Sequence, residues 1–145
     1  APYLNELYEA CKGKGAMLNG RSIHVSGKND TQESVVSTGF PIDKDRNPDN
    51  NLDNLARILP MVRGVRRQGS AAFDLCCVAA GILDGYWEFN LHLWDVCAGI
   101  LIVTEAGGTV RSFREDRNVS IVAGTPAIVE QLYPRLSDKP GKICL

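Results

Sequence analysis

The chain has 145 residues, 44% of them hydrophobic and 23% charged, with a formal net charge of -1. That length suits one domain over 1–145, large enough to bury a core, and the charge leaves no basic surface for nucleic acid. No apolar run approaches the roughly 20 residues of a membrane span, so neither nucleic acid nor membrane is an expected partner.

The first residues, Ala1 to Glu6, are neither basic nor continuously apolar, unlike a secretory signal. The chain does not open on Met, which fits a processed protein or an excised fragment. Five cysteines, Cys11, Cys76, Cys77, Cys97 and Cys144, form an odd set with no Cys-x-x-Cys pair. They read as free thiols of a reducing compartment, the cytoplasm or alternatively a plastid. The only histidines, His24 and His92, have no ligand spacing to a cysteine, so no zinc site is expected.

Leu4 to Ala10 reads as a strand, Lys12 to Gly15 as a turn and Ala16 to Leu18 as a second strand. Asn19-Gly20 is a hairpin signal leading into a third strand over Ser22 to Ser26, so the opening is a β-meander. Ser34 to Gly39 reads as a buried strand ending in a loop, and Asp43 to Asp49 as a polar loop. Leu52, Leu55, Leu59 and Val62 recur at helical spacing, with Pro60 kinking or ending that helix.

After the basic stretch Arg63 to Arg67, Gly69-Ser70 opens a second helix, with Ser70 as N-cap and Asp74 in its first turn. From Ala71 to Ala80 only Asp74 is polar, the mark of a buried helix. Gly81 and Asp84-Gly85 end it, and Tyr86 to Phe89 is a short strand. A third helix opens at Asp95, lines Val96, Ile100 and Val103 on one face and stops at Gly107-Gly108. Thr109 to Phe113 and Ser120 to Ala123 read as a strand pair, and Pro126 to Leu136 as a last helix. The order of elements predicts an α/β fold with helices covering a sheet.

Four features offer chemistry. Asp95 reads either as a helix cap, worth about 1 kcal/mol, or as a hard-oxygen ligand of Mg²⁺. Glu88 reads as a solvated strand-end charge or as an acceptor for a substrate hydroxyl. Gly69-Ser70-Ala71 is a plain cap or a helix N-terminus whose free N–H groups meet a polar or anionic ligand. Arg66 and Arg67 either steer a phosphate or are surface charges, at least one of them the latter. His92 has no serine or cysteine nucleophile in a recognisable motif with it, so a hydrolytic triad is not expected.

Taken together, these segments resemble the inositol monophosphatase family, Mg²⁺-dependent and lithium-sensitive phosphatases of small phosphorylated alcohols. The resemblance runs from Glu6-Leu7-Tyr8-Glu9-Ala10 and Gly13 to Gly20, through Arg63 to Arg67 and Gly69 to Ala72, to Trp94-Asp95. It is sharpest where Trp94-Asp95 is followed by Ala98-Gly99 and Glu105-Ala106-Gly107-Gly108. It implies the C-terminal half of the layered α/β/α/β/α fold of that family, a mixed sheet with covering helices. It assigns Asp95 as a metal ligand, Glu88 as the acceptor of a substrate hydroxyl, and Gly69, Ser70 and Ala71 as the turn against the substrate ring. His92 falls where some members place a histidine near substrate. A small phosphorylated polyol as substrate, Mg²⁺ as cofactor and a homodimer follow from the same resemblance.

Two motifs of that family are missing, a glutamate-rich one and Asp-Pro-x-Asp-Gly-Thr; Pro48-Asp49 is the reverse order, and Asp43 and Asp45 lack the pattern. The resemblance therefore covers the half that follows the catalytic aspartates, and no catalytic base is assigned in this chain. One carboxylate cannot hold a multi-ion cluster. The expected activity is that of the complete enzyme on inositol monophosphate. Fructose 1,6-bisphosphate, 3′-phosphoadenosine 5′-phosphate and histidinol phosphate are alternative substrates, and a non-catalytic relative that binds a ligand or partner is the alternative of another class. Without the other half, the Ala71 to Ala80 helix is expected to be partly uncovered, so that an isolated fragment would aggregate or pair with another chain.

Overall fold

The computed structural model describes residues 1–116 and 118–136; Cys144 lies outside the described residues. Three short strands, β1 (Tyr8–Ala10), β2 (Ala16–Leu18) and β3 (Arg21–Ile23), form the expected antiparallel meander. Asn19 and Gly20 both take positive φ, 51° and 74°, the turn that suits a two-residue hairpin. The predicted first strand is shorter, because Pro2–Leu4 coil into a 3₁₀ turn and Asn5 turns left-handed at φ 53°.

The second sheet contains β4 (Val35–Thr38), β5 (Gly64–Arg66), β6 (Gly85–Leu91), β7 (Thr109–Ser112) and β8 (Val119–Gly124), in the order β5-β4-β6-β8-β7. Strand β4 runs parallel to β5 and β6, whereas β8 pairs antiparallel with β6 and β7. The sheet is therefore mixed, as expected of an α/β fold. The basic stretch after Val62 gives no strand signal, yet Gly64–Arg66 pairs with β4 as the outermost strand. An edge strand tolerates exposed arginines, which is why its sequence reads as surface.

Helices α1 (Leu52–Ile58) and α4 (Pro126–Leu132) cover one face of this sheet, and α2 (Ala71–Ala79) and α3 (Leu93–Glu105) the other. Side chains alternate along β6. Tyr86 packs with Leu75, Val78, Val96 and Val103, while Trp87 and Phe89 pack with Ile58, Ile128 and Leu132. The meander closes over α2 and α3 through Tyr8, Ala16 and Ile23. Four layers result: α1/α4, the mixed sheet, α2/α3 and the meander.

Helices α2 and α3 pack closely because Gly99 has no side chain. A Cβ there would stand 2.7 Å from Leu75 Cδ1 and 2.8 Å from Leu75 Cβ. The expected face of α1 is displaced: Ile58 and Asn54 are buried, whereas Leu52 and Leu59 are exposed. The helix ends at Ile58 and passes into a 3₁₀ turn carrying Pro60, as that proline predicts. Part of α2 is uncovered, as expected, and so is the start of α3. Ala72 and Ala98 are exposed, and Trp94 retains 76% of its surface. Among the described residues no helix is long and apolar enough to cross a membrane.

Candidate functional site

The parallel strands β4 and β6 end at one rim of the sheet, and the N-termini of α2 and α3 meet there. Between them is a cleft of about 420 Å³ lined by Gly39, Arg67, Asp74 and Trp94 together with Gly69, Ser70, Ala71, Glu88 and Asp95. The sequence-predicted residues thus line a single cleft, at the carboxyl ends of parallel strands, the usual place for a ligand in an α/β sheet.

Each wall has a local cause. Gly69 takes φ 88°, a conformation side-chain-bearing residues rarely adopt, and Ser70 then caps α2 by accepting from Phe73 N at 3.4 Å. The N–H groups of Ala71 and Ala72 belong to the first helical turn, which has no partner inside the helix. Gly39 follows β4, and a Cβ there would collide with the Glu88 carboxylate. Glycine at 39 is therefore what lets Glu88 lie flat against the end of the strand.

Glu88 is half-buried and accepts from Tyr86 Oη at 2.6 Å through Oε2. Burial pushes its carboxyl above the ordinary range, and Asp74 and Asp95 add to that, while the Tyr86 bond and Arg67 oppose it. The Tyr86 phenol is held protonated by burial and by Glu88. Asp74 is 1% exposed, and burial raises its carboxyl too, against smaller contributions from Ser37, Gln68 and Arg67. Ser37 is close enough to favour the Asp74 carboxylate but does not reach hydrogen-bonding geometry. Asp74 Oδ1 and Ser37 Oγ are both buried without a partner among the described residues.

The helix that was expected to open at Asp95 begins two residues earlier, at Leu93, with His92 in the capping position. Asp95 occupies the third helical position and reaches back, its Oδ2 accepting from His92 N at 3.0 Å. The capping reading of Asp95 therefore holds, but as the reciprocal partner rather than the first cap. Its carboxylate sits at the positive end of α3. His92 stacks on Trp94 with ring centroids 4.3 Å apart and does not line the cleft. The two arginines separate: Arg67 lines the cleft, and Arg66 points its Nη1 at Val65 O on the edge strand.

Among the described residues no group of three His, Cys, Asp or Glu side chains is arranged to hold a metal ion. The described residues by themselves do not fit a Mg²⁺ centre, and Asp95 is the single carboxylate the resemblance offers to one. The cysteine thiols Cys11, Cys76, Cys77 and Cys97 are free.

Four lining residues, Gly39, Phe40, Asp74 and Leu91, escaped the sequence reading. Asp74 was visible only as the one polar residue of an apolar helix, and Gly39 only as the end of a buried strand. Neither signal says what the side chain or backbone faces.

The model of a family described as the inositol monophosphatase family matches residues 1–139. The chain is 43% identical over 141 residues to a Neisseria meningitidis serogroup B protein named putative Nus factor SuhB, covering 94% of this chain and 54% of that one. It is 46% identical over 112 residues to an inositol-1-monophosphatase of Synechocystis, covering 77% and 39%. The solved inositol monophosphatase from Anabaena superposes with a TM-score of 0.85 at 37% identity, covering 92% of this chain and 55% of that one. The chain spans about half the length of the relatives it matches, the share expected of half an enzyme of this kind. With the family matched along nearly its whole length and the fold shared, the chain belongs to the inositol monophosphatase family.

Proposed function

We propose that this chain is the substrate-recognising part of a phosphomonoesterase that releases phosphate from a small phosphorylated polyol, inositol monophosphate first among them. One observation carries the reading: Gly69, Ser70, Ala71, Glu88 and Asp95 line one cleft. In this reading Glu88 accepts a substrate hydroxyl, the Gly69-Ser70-Ala71 turn lies against the ring, and Asp95 gives one oxygen to a metal. Family membership supports a metal-dependent phosphatase, and Mg²⁺ is the ion this reading proposes. The described residues supply no three-ligand group, so this reading takes the remaining ligands from elsewhere in the complete protein.

The test is phosphate release from myo-inositol 1-phosphate with Mg²⁺. The complete protein is expected to release phosphate, with lithium suppressing it and Asp95→Asn abolishing it; the 145-residue chain alone is expected to release none. Near-normal turnover in the Asp95→Asn protein sinks the assignment. Fructose 1,6-bisphosphate, 3′-phosphoadenosine 5′-phosphate and histidinol phosphate, run beside it, decide the substrate.

A binding role is the second reading. Several relatives are named Nus factors, and the lack of a metal-ligand group among the described residues suits a protein that binds without hydrolysing. A complete protein that releases no phosphate from any of these esters would favour it.

A further inference from the structure

Asp74 has no part in the function proposed above, yet it lines the same cleft. It is the one polar residue between Ala71 and Ala80, 1% exposed, and its Oδ1 has no hydrogen-bond partner among the described residues. Its backbone is spoken for, with Asp74 N donating to Ser70 O at 2.8 Å, so the side chain is not needed to cap α2. The Ser37 hydroxyl on β4 is buried and unpartnered as well. A buried carboxylate oxygen without a partner costs stability, and an apolar residue at this position would pack better in a helix otherwise apolar from end to end. Such a group is expected at a functional site, where a ligand supplies the missing donor.

The charges around it limit what that ligand is. Asp74, Glu88 and Asp95 face the cleft with Arg67 as the cation beside them. Asp95 gives its oxygen to the metal in the reading above, which leaves Asp74 and Glu88 as the two carboxylates that repel a phosphate, so the ester's anionic end lies away from these two. No three-ligand group is arranged for a metal among the described residues. Gly39, Gly69, Ala71 and Ala72 line the cleft with small residues and add no charge to it. A neutral hydroxyl donor meets all of these conditions. It gives its proton to a carboxylate oxygen and brings no negative charge.

We propose that Asp74 is a second hydroxyl-accepting residue, so that Asp74 and Glu88 together read two hydroxyls of the ligand and the cleft selects a polyol over a simple alcohol. The inference rests on the reading of Glu88 given above. Asp74 is a specificity-determining residue here and touches no reacting atom.

The experiment measures binding of unphosphorylated myo-inositol to the 145-residue chain by ligand-observed NMR. The variants are Asp74→Asn, which keeps the shape and removes the charge, and Glu88→Gln. Ethanolamine is the competing amino alcohol, and thermal unfolding is followed in parallel. Asp74→Asn is expected to weaken myo-inositol at least fivefold while its Tm stays level or rises, since a costly buried charge has gone. A purely structural aspartate gives the opposite pattern, with a lower Tm and affinity within twofold of wild type, and that result overturns the proposal. So does absence of myo-inositol binding in the wild type, or tighter binding of ethanolamine than of myo-inositol. Should Asp74→Asn not fold, Asp74→Ser carries the same comparison. The two readings fail separately. Asp74-dependent myo-inositol binding without phosphate release from the complete protein removes the phosphatase and keeps this subsite; release with selectivity unaltered by Asp74→Asn does the reverse.

Discussion

Tyr86 Oη donates a 2.6 Å hydrogen bond to Glu88 Oε2, two residues along β6 and on the same face of the sheet. A strand repeats its side-chain direction every second residue, so the pairing follows directly from the alternation. It holds one oxygen of the Glu88 carboxylate, and Gly39 leaves space for the whole group.

That arrangement gives Glu88 a pH signature. Its folded-state carboxyl titrates above the ordinary value, chiefly through burial. Between the ordinary value and the raised one, the folded protein holds a proton that the unfolded chain has released. Stability therefore falls as pH rises through that window, the reverse of a salt-bridged acid. Asp74 acts in the same direction, and Tyr86, Arg67 and Asp95 are the other groups facing the pair. Urea unfolding from about pH 4 to about pH 7 is expected to show a shallower decline in Glu88→Gln than in wild type. Identical slopes would refute the effect.

Gly99→Ala tests the contact between α2 and α3. The added Cβ would meet Leu75 at 2.7–2.8 Å, including the Leu75 Cβ, which cannot swing aside. The expected loss is about 1–3 kcal/mol of unfolding free energy, read as a lower urea midpoint at unchanged m-value. A midpoint equal to wild type would mean that the two helices slide apart freely.

A buried amide joins α1 to the two central strands. Asn51 is 4% exposed and left-handed at φ 70°. Its Nδ2 donates to Thr38 Oγ1 at 2.9 Å and to Gly39 O at 2.7 Å, and its Oδ1 accepts from Trp87 Nε1 at 3.1 Å. Asn51→Ala strands a buried indole N–H and removes the shorter of two donors to the Gly39 carbonyl, which should cost about 2–3 kcal/mol. Because Gly39 lies under Glu88, myo-inositol binding is expected to weaken along with stability. A red shift in Trp87 fluorescence would report the lost burial, and an Asn51→Ala protein as stable as wild type would contradict the network.

The thiols divide by environment. Burial pushes Cys76 up to about 11 and raises Cys77 as well, whereas Cys11 and Cys97 are exposed. The thiolate is the reactive form, so iodoacetamide at about pH 8 should modify Cys11 and Cys97 first. Peptide mapping after partial reaction checks the order; early modification of Cys77 would mean that α2 opens readily.

Signals that act over a few residues were legible in the chain itself. Asn19-Gly20 makes its hairpin, Ser70 caps α2, and Gly107 at φ 83° ends α3, because turn and cap chemistry is decided by neighbours in sequence. The motifs around Gly69 and Asp95 carried the family, and with it the mixed α/β fold. Tertiary structure alone decided the rest. The strand order β5-β4-β6-β8-β7 brings residues 35–38 between 64–66 and 85–91, and no local preference encodes that neighbourhood. Pairing with β4 makes a strand of Gly64–Arg66, and packing on the sheet chooses Ile58 rather than Leu52 for the core. Asp74 has the same helical position in either account, but only the fold turns it toward Glu88. Its burial depends on which strand α2 lies across, a contact between residues far apart in the chain.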